Sequence, residues 1–76
     1  MKKINAFLLT LLAELDYRQY QLSKDSGVCL SYVNRAIRGL LVLKPKHQDA
    51  ITKAINRRLP PWDHLERRDI FPEEAA

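Results

Sequence analysis

The chain is poor in the residues that staple or punctuate small proteins. It has one cysteine, Cys29, so no internal disulfide can hold it. That suits a reducing compartment such as the cytosol. It has two glycines, Gly27 and Gly39, and no glycine-rich loop of the kind that cradles phosphates. His47 and His64 stand far apart with no cysteine pattern beside them, which argues against a metal site. Neither a nucleophile–base pairing nor a carboxylate pair in a pocket-like setting stands out, and 76 residues leave little room for a catalytic cleft. The expectation is therefore a non-enzyme with no cofactor.

Long apolar runs are missing too. The longest, AFLLTLLAEL, is broken by Thr10 and Glu14 and falls short of the roughly 20 residues that cross a bilayer. The opening MKKINAFLLTLLA has the order of a secretory signal: two lysines, an apolar run, then alanine. Removing it would delete the best helix of an already small chain, so we read it as helix. With no repeat, low-complexity tract or linker, residues 1–76 read as one domain.

What is present points to a folded globule. Apolar residues make up 46% of the chain. The core will be thin, which favours sharing the burden with a second copy. Charge is uneven. Residues 17–58 hold nine Lys/Arg against Asp25 and Asp49, a net of +7, whereas residues 59–76 have a net of −3. A basic middle suits a polyanion such as nucleic acid, and equally suits solvated helix faces.

Periodicity gives the elements. Ile4, Phe7, Leu8, Leu11, Leu12 and Leu15 form one helical stripe, capped by Asn5 or starting nearer Lys3, with Leu9 off the stripe. A second helix covers Gln19 to Ser26 with Leu22 inward, and Gly27 stops it. A third runs from about Leu30 to Arg38 with Val33, Ala36 and Ile37 inward, and Gly39 stops it. LLVL follows as a short strand or a buried connector. Pro45 opens a fourth helix whose buried face is Ala50, Ile51, Ala54 and Ile55. After Pro60 and Pro61, WDHLERRDIF predicts one more short helix, with Trp62 and Leu65 folding back on the core; Glu73 to Ala76 reads as frayed.

Helix, glycine corner, helix is the layout of a helix-turn-helix over about residues 19–38. Gly27 supplies the left-handed corner, Val28 plugs the gap beneath it, and the second helix is propped up with its outer face free. An α-helix fits the major groove of B-DNA.

These residues carry a resemblance. QLSKDSGVCLSYVNRAIRG is similar to the Cro/C1-type helix-turn-helix of phage repressors and related bacterial regulators. Gln19 stands at the motif's first position, Leu22 at the fourth, Gly27 at the ninth, Val28 at the tenth, Val33 at the fifteenth and Ala36 at the eighteenth. AITKAINRRL resembles the family's fourth helix. Ser23 replaces the usual alanine, Ser26 a common apolar residue, and Cys29 the usual Ser or Thr cap. The resemblance implies an all-α fold of four to five short helices, a lambda-repressor-like helix-turn-helix domain.

It also implies a sequence-specific regulator of double-stranded DNA, acting as a homodimer on a pseudo-palindromic site. Leu30, Ser31, Asn34 and Arg35 would face base edges: arginine can grip guanine, asparagine adenine, and leucine a thymine methyl. Gln19 would meet a phosphate at the N-terminus of its helix, with Arg18, Tyr32, Arg38, Lys44 and Lys46 as further phosphate contacts. Lys53, Arg57 and Arg58 read as an exposed face. The 40–43 connector and the 62–71 tail are the expected pairing surfaces. The alternative is an antitoxin or adaptor that uses the same surfaces to hold a protein partner. No aromatic platform for single-stranded RNA is evident.

Overall fold

A computed structural model of the chain describes residues 4–72. Five α-helices follow one another: α1 (Ala6–Glu14), α2 (Gln19–Ser26), α3 (Leu30–Ile37), α4 (Pro45–Asn56) and α5 (Arg67–Ile70). A 3-10 turn, Pro61–Asp63, precedes the last. The described residues contain no strand. None of these helices is long and apolar enough to cross a membrane.

Asn5 settles where α1 begins. Its Oδ1 accepts the Leu8 N–H at 3.0 Å, satisfying one of the donors a helix start leaves open. Leu8 and Leu12 are buried, and Leu11 and Leu15 pack at the edge of the core. Ile4 and Phe7 are 61% and 48% exposed, so the inward stripe is narrower than its periodicity predicts. No described element covers that shoulder of the helix. The chain then turns at Asp16, whose φ of 51° is left-handed, a conformation aspartate tolerates better than most residues. The Tyr17 N–H closes the corner on the Leu12 carbonyl at 2.9 Å, and the Tyr17 ring is buried.

α2 packs chiefly on α4 and α3 through Leu22. Gly27 adopts φ 76° and ends it. Val28, Val33 and Ile37 are buried, with Ala36 beside them. The LLVL segment is an irregular connector that alternates: Leu43 is buried and Leu41 half-buried, while Leu40 and Val42 face solvent. α4 opens on Pro45 and buries Ile51, Ala54 and Ile55. It also buries two polar residues that the apolar pattern does not flag. Gln48 Nε2 donates to the Leu43 carbonyl at 3.1 Å, and Thr52 Oγ1 donates to the Gln48 carbonyl at 2.8 Å.

The tail departs from expectation. The single helix expected there breaks into the 3-10 turn and α5. Leu65 packs against the core as expected, but Trp62 does not: it is 83% exposed. Ile70 and Phe71 fill the core instead. The cause is local. Asn56 grips Leu65 twice, Nδ2 donating to its carbonyl at 2.9 Å and Oδ1 accepting its N–H at 2.8 Å. Residues 57–64 therefore close a loop between those two anchors, with Leu59 turned to the core and Trp62 on the exposed stretch 61–64. The 62–71 tail is thus not one apolar pairing surface, because its two strongest hydrophobes are spent within the chain. Residues 73–76 lie outside those described.

Candidate nucleic-acid interface

The corner between α2 and α3 is held from both sides of Val28. Ser23 Oγ donates to the Val28 carbonyl at 2.6 Å, and Ser26 Oγ accepts the Val28 N–H at 3.2 Å. Both serines are departures from the resembled motif, and both supply bonds that an apolar residue would lack. Cys29, at the N-cap of α3, makes no side-chain cap bond and is exposed.

α3 turns Val33 and Ile37 inward, which leaves positions 30, 31, 34 and 35 on one outer stripe. Leu30, Ser31 and Arg35 are exposed there. Asn34 is half-buried because its Nδ2 donates to Gln19 Oε1 at 3.1 Å. The four base-edge candidates therefore come together, and Gln19, placed among the phosphate contacts, has half of its amide committed to one of them. Nothing in the sequence pattern announces that bond, which joins residues fifteen positions apart.

The phosphate candidates surround this stripe. Arg18, Arg38, Lys44 and Lys46 are all exposed. Tyr32 is exposed too, and its ring leans toward α4, with its centroid 6.1 Å from that of His47. None of Arg18, Arg35, Arg38, Lys44 and Lys46 makes an ion pair among the described residues, whereas Arg58, Arg67 and Arg68 each do. Arg18 is the N-cap of α2, Lys44 the N-cap of α4, and Lys46 lies in the first turn of α4. No acidic residue sits in the first turn of α2, α3 or α4. A cation at a helix N-terminus opposes the macrodipole by roughly 0.3–1 kcal/mol, so this arrangement works against stability. It favours an anion.

Arg58 is exposed, but its guanidinium is engaged from both sides. Its guanidinium lies 3.8 Å from the centre of the Tyr17 ring and 3.8 Å from Asp25 Oδ2. The Tyr17 hydroxyl donates to Asp25. Burial, then the bond and charge of Asp25, push the Tyr17 phenol up to about 12, against the opposing pull of Arg58. This trio locks the α1–α2 corner to the end of α4. Among the described residues no three His, Cys, Asp or Glu side chains gather as a metal ion would need.

No protein-family model, curated protein or solved structure matches the chain.

Proposed function

We propose that the chain is a sequence-specific regulator that binds double-stranded DNA, a small Cro-type repressor of phage or prokaryotic kind working on a pseudo-palindromic operator. One observation carries the reading: the outer stripe of α3 is uncovered, Arg35 and Arg38 at its C-terminal end make no ion pair among the described residues, and Arg18, Lys44 and Lys46 stand equally unpaired at the N-termini of α2 and α4, where an anion is favoured. In this reading Arg35 and Asn34 read bases, with Leu30 and Ser31 beside them. Gln19, Arg18, Tyr32, Arg38, Lys44 and Lys46 set the register on the backbone. Two copies would place their stripes about 34 Å apart, one turn of duplex. The exposed Leu40 and Val42 favour the connector as the pairing surface.

A gel-shift series over cognate and scrambled duplexes tests this. Arg35→Ala weakens binding and relaxes sequence preference, by about 1–3 kcal/mol at one base pair. Lys46→Ala weakens all duplexes alike. Binding unchanged by both substitutions rejects the assignment of the face. A second reading, a module that holds a protein partner, is favoured by Trp62, which is 83% exposed.

A further inference from the structure

Trp62 is the sole tryptophan of the chain and, among the described residues, the most exposed large hydrophobic side chain. It is not loosely displayed. Pro60 and Pro61 lead into it, the Asp63 N–H donates to the Pro60 carbonyl at 2.9 Å, and the His64 Nε2–H donates to the Leu59 carbonyl at 3.1 Å. Asn56 clamps the far side of the loop through Leu65. An indole standing in water gains nothing for the fold. The loop that carries it is braced, so little backbone freedom remains to be lost when the indole makes a contact.

Beside it runs a shallow groove of about 520 Å³, lined by Lys53, Asn56, Arg57, Leu59, Pro61 and His64. Its lining sets Leu59 and Pro61 beside two permanent cations and an imidazole, with no carboxylate; Asp25 and Asp49 line the adjoining hollow that shares Lys53 and Arg57. Lys53 and Arg57 make no ion pair among the described residues, unlike the three arginines around them. Asn56 spends one amide hydrogen and one Oδ1 lone pair on Leu65, which turns its amide toward the loop backbone. A single indole falls short of the successive aromatics on which single-stranded nucleic acid stacks.

We infer that the proline-braced loop 59–65 and the Lys53–Arg57 face of α4 form a docking site for an acidic segment of a partner protein, with an apolar side chain of that segment packed on Trp62. The site shares no residue with the α3 stripe and holds whether or not that stripe reads DNA.

The emission of Trp62 reports on this site alone, and the test uses the full chain without DNA. The probe is a short synthetic peptide of glutamates flanking a central leucine pair. A saturable blue shift of the emission is expected, weakening as salt is added. The double variant Lys53→Glu/Arg57→Glu weakens it about tenfold or more, while Lys53→Arg retains it. An unchanged emission overturns the inference, as does an equal response to the same peptide with lysine for glutamate. A stronger response to a single-stranded thymidine oligonucleotide or to a duplex overturns it in favour of nucleic acid. A shift that follows protein concentration alone overturns it in favour of a second copy.

Discussion

Asn34 of α3 donates to Gln19 of α2 at 3.1 Å, across the crossing that the Gly27 corner creates. The bond leaves Asn34 its Oδ1 and its second amide hydrogen, the pair that matches an adenine edge. Under the proposed DNA-binding role, Gln19 orients a base-reading group besides meeting a phosphate. Gln19→Ala should weaken cognate binding and also blur preference at the base pair Asn34 reads. In duplex titrations, Gln19→Ala and Asn34→Ala should be non-additive by about 0.5–3 kcal/mol. Additive losses would leave Gln19 a phosphate contact only.

Gly27→Ala isolates backbone strain. The glycine's φ is +76°, yet a Cβ there meets nothing within 4 Å. The penalty is therefore conformational, about 1–2 kcal/mol, with no clash to add. For a domain of this size that lowers the thermal midpoint by about 4–8 °C per kcal/mol, read by circular dichroism. The variant should still fold and bind well below its midpoint.

Tyr17 makes stability fall at alkaline pH. Its phenol is raised from 10.0 to about 12 in the fold, so the native state holds this proton more tightly than the unfolded chain. Its contribution is complete below pH 10 and is lost as pH climbs to about 12. Two units correspond to roughly 2–3 kcal/mol. Urea titrations of Tyr17→Phe and the parent chain should differ by about 1 kcal/mol near neutrality. That gap should close and then reverse across the same alkaline window, because only the parent chain has a phenol to ionise.

Gln48 is 1% exposed, and its Oε1 has no hydrogen-bond partner. Gln48→Glu replaces the donor to Leu43 with a buried carboxylate whose pKa must rise. The loss relative to the parent should be small at pH 4 and below, where a protonated carboxyl still donates. It should grow as pH rises through the carboxyl's elevated pKa. A pH-independent loss would mean that the site admits water.

Much of this fold was readable in advance because it rests on spacing and on two glycines. Leu22, Val33, Ile37 and Ile51 are inward because helical periodicity puts them there, Val28 because it follows the corner, and Gly27 turns where glycine alone is unstrained. The failures share a cause. Ile4 and Phe7 keep the period yet lose their cover, because no described helix lies over that shoulder of α1. Tyr17 is buried by a left-handed aspartate, and Trp62 is expelled by a clamp between Asn56 and Leu65. Such long-range bonds leave no periodic trace. The outer stripe of α3 followed from the motif, but the bond that orients Asn34 did not.

Asn5, which caps the first helix, also donates through Nδ2 to the carbonyl of Ile70 in the last, at 2.7 Å. Residue 5 and residue 70 are therefore neighbours, and the described chain forms a nearly closed ring. A short Gly/Ser bridge between residues 4 and 72 would close the ring, which could then be opened at the exposed Val42. It also means that a ribosome must release the final helix before the first can be sealed into place.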